Sequence, residues 1–418
     1  MKKHKTEITV PPLRFKGFDG GWEEKRLEAI VTFSKGKGYS KSDITEEGYP
    51  LFLYGRMYTN YQIEVASVET FCKLRDGSVL SKGGEVVCPA SGETAEDIAC
   101  ASAVVEKGIV LGGDLNILTP RKDADLDSVF LALSLTYGTP RNVIKSRAQG
   151  KTVVHIHNLD FADIGVFNPS LPEQQKLGEV FRSMDALITS HETALVKLKA
   201  LKKAMLEKMF PRAGAKVPEV RFKGFVGEWE EKRLDAIVTF SKGKGYSKSD
   251  ITEEGYPLFL YGRMYTNYQI EVSSVETFCK FRDGSVLSKG GEVICPASGE
   301  TAEDIACASA VTEKGIVLGG DLNILTPCKD ADFDSVFLAM CLTYGTAHNA
   351  IKSRAQGNTV VHVHNSDFID IDVFMPSLPE QRKIGAYFRS LDALISARRD
   401  EIAKLKDLKK ALLDRMFV

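Results

Sequence analysis

Across residues 377–417 the apolar positions Ile384, Phe388, Leu391, Ile395, Ile402 and Leu405 fall at steps of three, four or seven, with charged residues between them. That spacing predicts one long helix with a narrow apolar seam of the coiled-coil kind. The same pattern fills residues 170–210, and Pro211 stands directly behind it. Ser170 with Glu173, and Ser377 with Glu380, have the S-x-x-E spacing of a capping box, which predicts the two helix starts. About 38 helical residues at roughly 1.5 Å rise make a rod of about 57 Å.

Ahead of each rod the pattern shortens. Residues 85–88, 109–111 and 116–118 read as strands, with Gly112, Gly113 and Asp114 turning the chain between the last two. Residues 128–135 read as a short helix burying Val129, Phe130 and Leu133, residues 137–142 as a loop, and residues 152–157 as strand. Each rod therefore follows a mixed body of about 150 residues, which opens on RFKGF and a tryptophan that should dock it.

The chain is one unit written twice. Trp22 matches Trp229, Tyr39 matches Tyr246, His157 matches His364 and Phe210 matches Phe417, at an offset of 207 with no insertion or deletion. Residues 29–158 differ from residues 236–365 at 13 positions, whereas all eight positions of 189–196 differ from 396–403. The bodies do the same job twice, and the rods occupy distinct places. The second body starts where the first rod ends, so a compact second body sends its own rod back along the first. The expected fold is α+β (mixed α/β): two globular domains in tandem, separated by two long antiparallel coiled-coil-like helices, pseudo-two-fold symmetric. Expected boundaries are 1–168 for the opening segment and first body, 169–210 for the first rod, 211–375 for the second body and 376–418 for the second rod.

Composition narrows the class. With 43% hydrophobic and 27% charged residues the chain has an ordinary soluble make-up, and no run of about 18 apolar residues follows the basic start MKKHKTEITVPPLRF. A cytoplasmic location is expected. Of the eight cysteines, six are repeat copies, none forms CxxC, and Cys328 and Cys341 have no counterpart; free, mostly buried thiols follow. A net charge of −1 excludes a uniformly basic coat, so any nucleic-acid face is local. Residues 141–157 carry Arg141, Lys145, Arg147 and Lys151 with no acid before Asp160, and the loop 34–44 adds Lys35, Lys37 and Lys41.

Catalytic signatures are missing. The loop SKGKGYSKS has P-loop residue types without the spacing, no G-x-G-x-x-G stands between a strand and a helix, and Asn168-Pro169-Ser170, which only approaches an amine-methyltransferase motif, loses Asn168 to Met375 in the copy. His155 and His157, with His362 and His364, put two imidazoles on one strand face but lack a third ligand nearby. Asp123, Asp125 and Asp127 lack the glycine and glutamate of a calcium loop.

RFKGF with its tryptophan, the loop GKGYSKSDITEEGYPLFLYGRMY, the run IKSRAQG-x-TVVHIHN, and the rod opening SLPEQQK with its LKxLKKAxLxxMF close together resemble the specificity subunit of Type I restriction-modification enzymes, over nearly the whole chain and twice. The resemblance implies a non-catalytic DNA reader with two target recognition domains held apart by two antiparallel helices that act as a ruler. It implies double-stranded DNA as ligand, docking of two modification (methyltransferase) subunits that use S-adenosylmethionine to methylate adenine at N6, and a restriction subunit that uses ATP with Mg. This chain would hold no cofactor or metal and cross no membrane. In the family the two recognition domains ordinarily differ; here they nearly match, so the expected target is two reverse-complement half-sites around an unread spacer.

Arg reads guanine and Asn or Gln reads adenine, while Lys and hydroxyls more often hold phosphates. The candidates for DNA contact are therefore Lys35, Lys37, Tyr39, Ser40, Lys41, Arg56, Tyr58, Arg141, Asn142, Lys145 and Arg147, and in the copy Lys242, Lys244, Tyr246, Ser247, Lys248, Arg263, Tyr265, Asn349, Lys352 and Arg354. Arg141 becomes His348 and Arg121 becomes Cys328, either of which would alter one half-site. Competing readings are a reader from a related methylation-based defence system or orphan methyltransferase complex, a self-sufficient nuclease or methyltransferase, and a helical scaffold without a DNA role.

Overall fold

The structure, a computed structural model, describes residues 8–418; most of the basic start of the chain, residues 1–7, lies outside the described residues. The chain forms two compact units, Met1–Thr193 with Arg399–Val418, and Ala194–Arg398. Compactness thus cuts each rod near its middle, where the sequence pattern separates rods from bodies.

In the first unit the central strands are the apolar runs. Glu85–Pro89 and Leu115–Pro120 lie side by side in a five-stranded sheet ordered Val31–Lys35, Leu115–Pro120, Glu85–Pro89, Ser102–Val104, Glu64–Val65. Val86, Val87, Cys88, Leu115, Ile117 and Leu118 are buried, which explains why these strands do not alternate apolar with polar. A second five-stranded sheet runs Ile44–Thr45, Phe71–Cys72, Tyr49–Phe52, Lys107–Leu111, Leu80–Lys82. The Gly112-Gly113-Asp114 turn joins no hairpin: it carries the chain from the second sheet, where Leu111 pairs with Phe52, to the first, where Leu115 pairs with Pro89. A Cβ on Gly36 would stand 1.8 Å from the Gly112 carbonyl oxygen, so the cationic loop lies directly on this crossover. The second unit repeats both sheets in the same order.

The helix expected over 128–135 is Ser128–Tyr137, started by Asp127, whose Oδ1 accepts the Phe130 amide at 2.9 Å. The loop expected over 137–142 is instead mostly helical, because Pro140 occupies the first turn of a second helix, Pro140–Ser146, where its missing N–H costs nothing. Of the strand expected over 152–157 only Val154–His155 pairs, with Ser91–Gly92.

The rods are single helices, Leu171–Lys208 and Leu378–Met416. Their predicted capping boxes give way to a longer-range pairing. The Glu173 carboxylate, buried, accepts Arg14 Nε at 2.6 Å and Nη2 at 2.7 Å, and Glu380 accepts Arg221 at 2.7 Å twice. The next residue, Gln174, donates to the Pro169 carbonyl at 2.9 Å and accepts the Asp127 amide at 2.9 Å. The LPEQ run therefore fastens the rod to RFKGF on one side and to the Ser128–Tyr137 helix on the other.

Within each unit the two rods run antiparallel. In the first, Asp185 meets Lys409 at 2.5 Å and Glu192 meets Lys406 at 2.7 Å; in the second, Lys202 meets Asp392 at 2.5 Å. The seam residues Ile384, Phe388, Leu391, Ile395 and Ile402 are buried and Leu405 is half-buried. Each body is closed by the end of a rod. Phe417 packs on Phe130 and Phe181, centroids 6.0 and 5.9 Å apart, beside Trp22 in the first unit; Phe210 packs on Trp229 and Phe337 at 6.2 and 5.7 Å in the second.

All eight cysteines are free. Cys100 and Cys307 are only partly exposed, and burial pushes both thiols up to about 12. Among the described residues no helix is long and apolar enough to cross a membrane.

Candidate nucleic-acid interface

The cationic loop is shaped from within by a tyrosine. Tyr39 has a left-handed backbone, φ 54°, and is buried. Its hydroxyl contacts Ser78 Oγ at 2.6 Å, donates to the Lys73 carbonyl at 3.2 Å and accepts the Arg75 amide at 2.9 Å. The Arg75 guanidinium lies 4.8 Å over the ring centroid and pairs with Asp43. The Asp43 carboxyl is held below its ordinary range by the Ser40 amide, 2.7 Å away, and then by Arg75. Tyr246, Arg282 and Asp250 repeat the arrangement.

Tyr39 and Tyr246, expected at the DNA, have their rings covered and their hydroxyls engaged within the loop. Ser40 and Ser247 are exposed, but each hydroxyl already contacts a neighbouring serine at 2.8 Å and the loop aspartate at 3.2 Å. The brace leaves Lys35, Lys37 and Lys41, like Lys242, Lys244 and Lys248, on the outside. Among the described residues Lys37 and Lys41 make no ion pair.

The run 141–147, free of acids in the sequence, is supplied with them by the fold. Lys145 pairs with Glu96 at 2.6 Å, and Arg147 donates to the Asp160 carbonyl at 2.5 Å and pairs with Asp163. Lys352 pairs with Glu303 and Arg354 with Asp370 in the same way. Each pairing holds its carboxylate, Glu96 and Asp163 included, below the usual range. Arg141 is half-buried with its Nε enclosed and unpartnered, while Asn142 and Asn349 are exposed on their helices. Arg56 donates to Gln62 at 3.0 Å and Arg263 to Gln269 at 3.1 Å. The Tyr58 hydroxyl donates to the Ser91 carbonyl, as Tyr265 does to Ser298, and burial pushes both phenols up.

The structure draws the histidines to the lysine loop. His157 Nδ1 lies 3.5 Å from Lys35 Nζ, Asn158 donates to the Ser34 carbonyl at 2.9 Å, and His155 Nδ1 contacts Ser91 Oγ at 3.2 Å. Both imidazoles are exposed on either side of buried Ile156. Among the described residues no group of three or more His, Cys, Asp or Glu is arranged to hold a metal. One face of each body thus gathers Lys35, Tyr58, Ser91, His155 and His157 or their copies. Its donors suit phosphate oxygens and base edges. Sequence reasoning missed Ser91 because only the fold brings it against His155, and Arg75 because only the fold lays it over Tyr39.

Comparison with known proteins decides the family. Residues 227–407 match the model of the type I restriction modification DNA specificity domain, and the repeat gives the first half the same content at an offset of 207. The chain belongs to the type I specificity subunits. Their part in restriction and modification is DNA sequence recognition. A specificity subunit of the type I restriction enzyme MjaVIII from Methanocaldococcus jannaschii is 21% identical over 406 residues, covering 94% of this chain and 91% of that protein. The fold is that of the type I S subunit from M. genitalium, TM-score 0.59 at 17% identity over 98% of this chain and 99% of that one. It also matches a chain from a study of type I complex assembly and conformational transition, TM-score 0.53 at 17% identity over 96% of this chain and 99% of that one. This specificity subunit is mixed α/β, with two sheet-based domains and a long helix between them.

Proposed function

We propose that each body reads one half of a bipartite double-stranded DNA target, and that the two half-sites are near reverse complements separated by an unread spacer. The observation that carries this is the internal match of the interface: the buried tyrosine, its arginine lid, the paired cations and the histidine–serine contact of His155 and His362 recur in both units with the same partners. Two equal readers joined by antiparallel rods read inverted sequences, and rod length sets the spacer. Lys35, Lys37, Lys41 and their copies hold phosphates, and Arg56, Asn142, Arg263 and Asn349 are nearest in chemistry to base readers.

The chain acts as the non-catalytic member of a cytoplasmic complex. It docks two modification subunits, which carry S-adenosylmethionine, and a restriction subunit, which carries ATP and Mg. Leu187 and Leu408 in the first unit, and Leu201 and Leu394 in the second, support docking on the rods: they occupy matching repeat positions and are 42–54% exposed. A second reading, a DNA reader in a related methylation-based defence system or orphan methyltransferase complex, shares every one of these features and differs only in the partners.

Methylome sequencing of cells carrying the complete methyltransferase tests the proposal. It predicts methylated adenines in two related, inverted half-sites at one fixed spacing; two unrelated half-sites would overturn it.

A further inference from the structure

A small finger projects from each body. Gln149 and His155 exchange backbone hydrogen bonds, 3.0 and 2.7 Å, closing the intervening residues 150–154 into a tight hairpin. Gly150, at φ 132°, makes the closure: a Cβ there would stand 2.0 Å from the Val153 carbonyl oxygen. The stem is stapled to the body by the pairing of His155 with Ser91 and of Val154 with Gly92. Beyond the stem, Lys151, Thr152 and Val153 are exposed, and among the described residues Lys151 makes no ion pair. The second body repeats the hairpin at Gln356 and His362, with Gly357 at φ 123°.

The finger belongs to the interface face. His155 at its stem contacts Ser91, and His157 just beyond it reaches Lys35, so the tip extends from the same edge that carries the outward lysines. A two-stranded ribbon is one of the two shapes that the major groove, about 12 Å wide, admits.

The comparison between bodies singles out its tip. Among the 13 differences between residues 29–158 and 236–365, three change a charged or titratable side chain facing solvent in part or whole: Arg121 to Cys328, Arg141 to His348 and Lys151 to Asn358. Arg121 donates to the Glu28 carbonyl at 3.2 Å, and Arg141 has its Nε enclosed while His348 Nδ1 is 2.7 Å from the Ala306 carbonyl. Those two lie against their own bodies. Lys151 and Asn358 are exposed at an unpartnered tip, and they differ in the chemistry that distinguishes bases: an ammonium donates to the guanine O6 and N7 acceptors, whereas a carboxamide both donates to and accepts from adenine.

We infer that the fingers read base edges and that Lys151 and Asn358 make the two half-sites differ at one base position, a guanine on the Lys151 side and an adenine on the Asn358 side. The inference rests on the proposed reading of one half-site per body.

The test compares methylomes of cells carrying the complete methyltransferase with the native chain, Lys151→Asn or Asn358→Lys. Both substitutions import the side chain that the other body already bears, so folding is not at stake. The native motif is expected to be an inverted repeat broken at one position. Lys151→Asn should restore an adenine there, with preference for the old base lowered about tenfold, and Asn358→Lys should restore a guanine. Native half-sites that are full reverse complements, or variants whose motifs are unchanged, would overturn the inference while leaving the inverted-repeat proposal standing. Unrelated native half-sites would remove that proposal, and a shift confined to one base of one half-site would then still support the finger as reader. A uniform loss of binding across sequences with a shallower salt dependence would make Lys151 a phosphate contact and overturn its role as reader.

Discussion

The two units answer the same architectural problem with different side chains at a few places, one of them buried. In the first, Asn168 is buried with neither its amide nitrogen nor its carbonyl oxygen partnered; in the second the same place holds Met375, which is buried as well. In the first, Arg121 donates to the Glu28 carbonyl at 3.2 Å; in the second, Cys328 stands there and lines a cavity of about 680 Å³ with Arg233, Lys329 and Asp330. Arg141 gives way to His348. The interface loop and its braces stay alike through these changes, so the body has changed around a nearly constant lysine loop.

Exchanging or removing side chains in one unit at a time exposes that comparison. The largest effect is expected from Phe417→Ala, which empties a site between Phe130 and Phe181 and should cost the first unit about 3–5 kcal/mol, with Phe210→Ala doing the same to the second. Hydrogen exchange read separately over the two bodies checks it. Protection lost in the second body on Phe417→Ala would break the assignment of rod ends to units. Next, Asn168→Met should stabilise the first unit by about 1–3 kcal/mol, because it removes an unpaired amide where the repeat shows that methionine fits. Thermal unfolding without a gain would mean that the amide is satisfied, for instance by water.

A smaller effect divides the cations. Lys37→Ala should lower the slope of DNA affinity against salt by about 1, whereas Arg147→Ala, already matched by Asp163, should leave the slope nearly as it was. Mobility shifts at graded salt measure both, and a reversed order would move the phosphate contacts to the 141–147 run. The smallest effect is pH. Burial holds His348 below its ordinary range, so the unfolded second unit takes up more protons than the folded one. Its stability should therefore be full above about pH 6.5 and fall as the pH drops below that, while the first unit, with Arg141, should show no such contribution. Unfolding at pH 7.5 and 5.5 tests this, and His348→Arg should abolish the difference.

Much of the fold was legible because its signals are local or periodic. The rods appear at the expected residues because their apolar seam repeats at steps of three, four and seven, and the short helix at Ser128 follows from its apolar run. What the residues hid was set by distant partners. Glu173 has the spacing of a capping box, yet its carboxylate serves Arg14, 159 positions away. Lys145 and Arg147 read as a bare cationic run until Glu96 and Asp163 fold against them. Tyr39 read as a contact residue in a glycine-rich loop, and only the approach of Ser78 and Arg75 makes it an internal brace. Pro140 concealed a helix because the same residue serves both turns and first helical positions.

Closing each body with the far end of the other rod also sets a timetable. The first body, Trp22, Phe130 and Phe181 included, is synthesised well before Leu413, Met416 and Phe417, which complete its core. From Thr193 to Leu413 lie about 220 residues, so at roughly 5–20 residues per second the ribosome needs about 11–44 seconds to deliver the missing plug. During that interval the core around Trp22, Phe130 and Phe181 waits for the three residues that complete it.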